Sequence, residues 1–225
     1  HLKNMVSTVE ARGLGYFFRN PVHFISLVEP DLRDMYYETD AVIDHLFYHP
    51  THPLFIASRM IQRFGVSNPS PGYIERVAIA YRRGDYMDGQ FGAGSYGDLG
   101  ALFAAILLDS EAQSPTLDAD PSMGQLREPL LKVTSLLRAM NGQFLSPKGA
   151  RRLQPHWGSD IGQDPYESPS VFSFFLPEYS PPGVVTKAGL VAPESQLLTG
   201  KKVTNIIDGM WAVIKFGLTD CYNGF

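Results

Sequence analysis

The stretch that decides the fold is His52–Tyr81, with the sequence HPLFIASRMIQRFGVSNPSPGYIERVAIAY. In its first half, apolar residues recur at helical spacing and stop at Gly65, which predicts a helix over 52–64. In its second half, Ser70-Pro71 is typical of a helix start, so a second helix is predicted over 71–83. The stretch therefore indicates two consecutive helices joined by a turn rich in serine and proline.

The same helical periodicity recurs along the rest of the chain. The last helix shows it most clearly, with apolar residues every three or four positions from Val203 to Leu218. The sequence shows no strand–helix alternation and no internal repeat. We therefore predict an all-α fold, an irregular multi-helix domain in which strands occur only before residue 30. Further helices are predicted over 38–49, 98–109, 125–141 and 202–218.

One long segment, residues 143–200, lacks any helical pattern longer than two turns and is rich in proline and glycine. It also carries aromatic residues, which favour burial. We therefore expect an ordered loop that wraps the helical domain. The predicted domains are an N-terminal extended segment over 1–36, continuing from a missing half, and a helical domain over 37–225. The aromatic residues are Trp157, Tyr166, Phe172, Phe174, Phe175 and Tyr179.

Composition narrows the class of protein. The 225 residues carry a net charge of −4, which argues against a nucleic-acid partner, and no apolar run is long enough for a transmembrane segment. Cys221 is the single cysteine, so an intrachain disulfide and a cysteine-based zinc site are excluded, whereas pairing with another chain stays open. The chain begins at His1 without a signal-peptide pattern, and we expect it to be a piece of a longer protein.

Histidines near the end of the first long helix form a pattern that suggests a metal. His45 and His49 are four residues apart and would share one helix face, as in two-histidine sites. Pro50 and Pro53 interrupt the helix that would align them with His52, so we predict no shared metal ion. The sequence also contains no phosphate-binding glycine motif, and we predict no cofactor.

Arg127 and Glu128 stand at the start of the predicted helix over 125–141. Buried carbonyl groups of the 143–200 loop need donors, and an arginine side chain offers five. We therefore predict that Arg127 is buried and bonded to the loop, with Glu194 as its best carboxylate partner. Replacing Arg127 with alanine should then cost about 3–5 kcal/mol. A ligand-binding arginine is the alternative at this position.

Blocks of sequence spread over residues 40–200 follow one another in a recognisable order. They are HPTHPLFIASRMIQRF (49–64) with SNPSP (67–71), GDLGALFAAILLD (97–109), LREPL (126–130), PSVFSFFLPEYSPPG (169–183) and APE (192–194). In this order they resemble the domain of unknown function 1800 family, of which the chain would be the C-terminal half only. The family has no agreed reaction, so the resemblance implies no catalytic residue. It implies a mostly helical, exported protein with an extracellular or cell-surface location.

Two functions of different classes are compatible with these features. The first is a non-catalytic structural or interaction module of an exported, cell-surface or extracellular assembly, with other protein chains or the missing N-terminal half as partners. The second is a hydrolase or ligand-binding enzyme with a cleft between the helices and the 143–200 loop. Whether the chain is an enzyme is left open. The sequence identifies no catalytic residues. The candidate ligand-binding residues are Arg127, Glu128, His49, Tyr179 and Glu194.

Overall fold

A computed structural model describes residues 8–11, 16–19, 33–120, 122–142 and 157–217 of the chain. The chain divides into two units, His1–Ile56 and Ala57–Phe225, and each is described by itself. The division of the sequence between residues 36 and 37 stays a prediction. Part of the predicted loop, residues 143–156, and the single cysteine, Cys221, lie outside the described residues.

The first unit contains a short hairpin and a long helix. Strands β1 (Thr8–Ala11) and β2 (Tyr16–Arg19) pair antiparallel, with Thr8 opposite Arg19 and Ala11 opposite Tyr16. Both strands lie before residue 30, the only part of the chain where strands were expected. Helix α1 (Arg33–Phe47) follows, and α2 (His52–Phe64) begins at the end of this unit.

The regular elements of the second unit are all helices in the part of the chain that the structure describes, and the predicted all-α fold is confirmed. No helix among these residues, or in the described part of the first unit, has the length and apolar character needed to cross a bilayer. The predicted bounds of the long helices agree with the structure within four residues, except that α1 begins at Arg33, five residues before its predicted start at residue 38. The elements are α3 (Pro71–Arg83), α4 (Leu99–Leu108), α5 (Ser110–Gln113), a 3₁₀ turn (Pro115–Ala119), α6 (Pro129–Ala139), α7 (Trp157–Asp160), α8 (Val184–Lys187), a second 3₁₀ turn (Pro193–Gln196) and α9 (Gly200–Phe216).

Side chains at the helix starts fix these bounds. The Ser70 hydroxyl accepts a hydrogen bond from the Tyr73 amide at 3.1 Å and caps α3 as predicted. Asp98 caps α4 in the same way, since its Oδ1 accepts from the Ala101 amide at 2.8 Å. Helix α6 begins at Pro129 and not at residue 125. The residue before a proline is pushed out of the helical region, and Glu128 is extended, with φ −57° and ψ 149°.

Two groups of buried side chains hold the helices of the second unit together. Along α3 and α4, Tyr73, Val77, Leu102 and Ile106 are almost completely buried, and the Tyr73 hydroxyl donates to the Ile106 carbonyl. The second group joins α6, α7 and α9. It consists of Val133, Ile161, Ile206 and Val213, with Leu130, Leu137, Leu198 and Met210 packed around it.

The described part of the long loop, residues 157–199, is ordered but contains no regular element longer than one helical turn. Phe175 is buried there, as predicted. The expected burial of the other aromatic residues is wrong for Tyr166 and Phe172, which are largely exposed. The side chain of Trp157 lies outside the described residues. Aromatic packing therefore explains only part of how this segment is held against the helices.

Candidate functional site

The second half of α2 presents a polar face to the segments that follow it in the chain. Arg59, Gln62 and Arg63 are spaced three and four residues apart, so they lie on one side of the helix. Arg59 pairs with Glu178 of the long loop, and this pairing lowers the pKa of that carboxyl. Because Glu178 is mostly exposed, the pair stabilises the fold little. The stronger contacts of this face involve two buried glutamates.

Glu128 is the first of the two buried glutamates, with 7% of its surface exposed. Its Oε1 accepts from Nη1 of Arg63 at 2.7 Å, and its Oε2 accepts from Nε2 of Gln163 at 2.6 Å. The other end of the Gln163 amide accepts from the Leu130 backbone N–H at 2.9 Å, which satisfies a free donor in the first turn of α6. Both oxygens of Glu128 therefore have donors, and the residue joins α2, α6 and the long loop.

Glu194 is the second buried glutamate, with 1% of its surface exposed. Its Oε1 accepts from Nε2 of Gln125 at 2.7 Å, and the same amide donates to the Gln62 carbonyl at 2.9 Å. Its Oε2 has no hydrogen-bond partner among the described residues. A buried carboxylate with one free oxygen is costly, so this position depends on the surrounding packing.

Arg127 lies elsewhere, and the prediction that it is buried and bound to Glu194 is wrong. Its side chain is exposed, and its Nη1 donates to the Ser135 hydroxyl at 3.4 Å. The reason is local: before Pro129 the chain is extended, so neighbouring side chains point in opposite directions, and Glu128 points inward. The roles of Gln125 and Gln163 were missed by sequence reasoning, because a neutral amide gives no charge signal.

The other predicted site residues are placed as follows. His49 belongs to the first unit, where its Nδ1 lies 2.8 Å from the Thr51 hydroxyl. Burial and the neighbouring His49 lower the pKa of His52. Tyr179 belongs to the second unit and contributes its backbone: its amide donates to Leu176, and its carbonyl accepts from Ala192 at 2.9 Å. The described residues contain no group of three side chains able to hold a metal ion.

A polar cleft of about 740 Å³ opens beside the start of α3. Arg76 lies in its wall and binds Asp109 with two hydrogen bonds, each of 2.7 Å. Burial alone would raise the pKa of Asp109, but the bonds from Arg76 and from the Glu111 amide outweigh it and lower the pKa. The guanidinium of Arg76 is therefore already paired within the protein. The lining residues are Asn68, Ser70, Arg76, Ser110, Glu111, Ser114, Leu117, Asp120, Ser122 and Met123.

Helix α9 exposes several large apolar side chains beside those that it packs into the core. One side packs into the core through Ile206 and Val213. A neighbouring side exposes Ile207 (60%), Trp211 (55%) and Ile214 (57%), which are spaced as on one helical stripe. Nζ of Lys215 lies 4.5 Å from the centre of the Trp211 ring. We call Ile207, Trp211 and Ile214 the outer stripe of α9.

No curated protein and no solved structure matches the chain at a significant level. The model of one family does match: it is described as a protein of unknown function (DUF1800), and the match covers residues 24–216. All nine helices from α1 to α9 that the structure describes fall within these residues. The family suggested by the sequence blocks is thereby confirmed, whereas the restriction to its C-terminal half stays a prediction. With most of its length matched, the chain belongs to the DUF1800 family.

Proposed function

We propose that the chain is a non-catalytic interaction module of an exported, cell-surface or extracellular assembly. The outer stripe of α9 carries this proposal. A helix that is apolar on both its core side and a neighbouring side needs a second contact, because contiguous exposed apolar patches mark interaction sites. Burying a large apolar side chain contributes about 1.5–3 kcal/mol, so three such side chains provide a substantial binding energy.

The buried glutamates support the same proposal. Glu128 uses both carboxylate oxygens to join α2, α6 and the long loop, and Glu194 uses one oxygen on Gln125. A general acid or base must reach its substrate, and these groups are enclosed by their own fold. Their contacts are those of residues that hold a scaffold rigid around an exposed binding face.

Oxidative footprinting of α9 tests the proposal. The chain is compared in its native source and as an isolated protein at nanomolar concentration, and the oxidation of Trp211 is measured. We expect Trp211 to be protected in the native source and oxidised in the isolated chain. Met87, which is exposed on the loop after α3, is the internal control and should react equally in both samples. Equal oxidation of Trp211 in both samples would contradict the proposal.

The location is proposed from the family resemblance. Treatment of intact cells of the native source with a non-permeant protease should remove the chain, while an internal marker protein survives. Survival of the chain until the cells are opened would contradict an extracellular or cell-surface location. The outcome is independent of the footprinting experiment, since a module inside the cell could still bind through α9.

A second candidate, binding of a small polar molecule, is favoured by the cleft beside α3. Its wall contains serine hydroxyl groups, which suit a neutral ligand with several hydroxyl groups. A thermal-shift series with monosaccharides tests this candidate, with Ser122→Trp as the variant that fills the cleft. A melting temperature raised by one sugar in the wild type but not in the variant would support it, and no shift with any sugar would exclude that ligand class.

A further inference from the structure

We propose that the surface which covers the outer stripe of α9 is α9 of a second copy of this chain, packed antiparallel about a two-fold axis. This inference rests on the proposed function and names the partner of the same surface. It is drawn from the distribution of charge beside the stripe. A two-fold pair brings the same patch of both copies together, so the patch must be complementary to itself.

The two sides of the stripe differ in chemistry. At 100° per residue, Ile207 and Ile214 lie within about 60° of Trp211 on one side of the helix. Asp208 and Lys215 lie within about 60° of Trp211 on the other side. Trp211 is therefore the centre of a face with an apolar flank and a charged flank. The apolar flank continues toward Met210, which packs on the core.

The charged flank decides the direction of packing. In an antiparallel two-fold pair each flank meets the same flank of the other copy. An axis midway between residues 211 and 212 places Asp208 opposite Lys215 of the second copy, and Lys215 opposite Asp208 of the second copy. Two complementary ion pairs result. A parallel two-fold pair would instead set the charged flank of each copy against the apolar flank of the other, where the charges would lose water without gaining a partner.

The same register suits the apolar side chains. It places Trp211 of the two copies together at the axis, where their rings bury the most apolar surface. It also brings Ile207 close to Ile214 of the second copy, because both lie on the apolar flank and their levels along the helix differ by only about 3 Å. In the single chain the Phe216 ring already lies against Trp211, with ring centres 5.9 Å apart, so it belongs to the same patch. Lys201, which lies seven residues before Asp208, is level with a position beyond Phe216, where α9 of the second copy ends.

Sedimentation velocity with charge-reversed variants tests the pairing. We expect the wild-type chain to form a dimer at micromolar concentration. Lys215→Asp and Asp208→Lys, each alone, should raise the dimer dissociation constant at least roughly tenfold, because each places like charges together twice. An equimolar mixture of the two variants should form a heterodimer, since one copy then carries two lysines and the other two aspartates. The double variant D208K/K215D should recover the homodimer.

Controls separate a lost contact from a lost fold. Lys201→Asp makes the same charge reversal outside the proposed contact and should leave the dimer unchanged. Circular dichroism should show the same helical content for all variants. A wild-type chain that stays monomeric at about 100 µM, a range that stable interfaces easily saturate, would overturn the pairing. The pairing would also be overturned if each single variant weakened the dimer but the mixture of the two formed no heterodimer.

The two proposals fail in different experiments. A monomeric chain whose Trp211 is protected in the native source leaves the interaction module in place and excludes the second copy as its occupant. An unprotected Trp211 in the native source removes the proposed function itself. Binding of the monomer to vesicles of phosphatidylglycerol and phosphatidylcholine, abolished by Trp211→Asp, would identify a lipid surface as the occupant and overturn the pairing.

Discussion

Arg63 on α2 places Nη1 2.7 Å from Oε1 of Glu128, the residue just before α6. The same guanidinium lies over the ring of Phe175, with 5.4 Å from its carbon to the ring centre. One arginine thus contacts a buried acid and the buried aromatic residue of the long loop. The attachment of that loop to the helices depends on this pair and on the Gln163 amide that completes it.

The first prediction compares two neighbouring residues of opposite charge. Glu128→Ala removes the acceptor of two hydrogen bonds and should lower the free energy of unfolding by about 2–3 kcal/mol. Arg127→Ala removes an exposed side chain and should change it by less than about 0.5 kcal/mol. Urea unfolding followed by circular dichroism measures both. A larger effect at Arg127 than at Glu128 would show that the contacts of Glu128 are not those that hold the loop.

The sequence was informative where one residue type has one physical use. Ser70 before Pro71 marked the start of α3 correctly, because few other residues satisfy free backbone donors. The sequence wrongly placed Arg127, and not Glu128, in the interior. The predicted helix included the residues before Pro129, but the backbone there has the extended conformation. The contact between Gln125 and Glu194 joins segments far apart in sequence, and no local pattern encodes such a pair.

The second prediction concerns Asn68, whose side-chain amide binds the backbone of Val191 through both its nitrogen and its oxygen. Nδ2 donates to the Val191 carbonyl and Oδ1 accepts from its N–H, each at 2.9 Å. Asn68→Ala leaves the N–H and the carbonyl of Val191 without these bonds. It should lower the free energy of unfolding by about 1–3 kcal/mol. Hydrogen exchange at Val191 and Ala192 should accelerate, while α4 stays protected. Arg59→Ala, which removes the exposed pair with Glu178, is the control and should leave exchange at Val191 unchanged.

The third prediction separates backbone strain from steric clash at two glycines with positive φ. Gly84 (φ 72°) ends α3, and a Cβ atom there would lie 2.0 Å from the Ser95 carbonyl oxygen. Gly89 (φ 83°) has no atom within 4 Å of the same position. Gly89→Ala should therefore lower the free energy of unfolding by about 1 kcal/mol, from backbone strain alone. Gly84→Ala should lower it several times more. Similar melting temperatures for both variants would show that the loop yields to the added methyl group.

The fourth prediction is a loss of stability in alkali that depends on Tyr73. Burial of its side chain, followed by the charges of Asp109 and Glu111, raises the pKa of Tyr73 from 10.0 to about 12. Between these two values the folded protein keeps a proton that the unfolded chain has released. The contribution of Tyr73 to the free energy of unfolding is therefore fully present below pH 10 and is lost as the pH rises through 12, by roughly 3 kcal/mol in all.

Tyr73→Phe should remove this pH dependence. The variant loses the hydrogen bond to the Ile106 carbonyl and should be less stable than the wild type at pH 9 by about 1 kcal/mol. Because phenylalanine releases no proton, the difference should shrink or reverse as the pH approaches 12. Val77→Ala is the control, because it destabilises the same helix without changing an ionisable group. Its free energy of unfolding should differ from that of the wild type by the same amount at every pH. A constant difference between Tyr73→Phe and the wild type from pH 9 to 12 would mean that the Tyr73 hydroxyl ionises equally in the folded and unfolded chains.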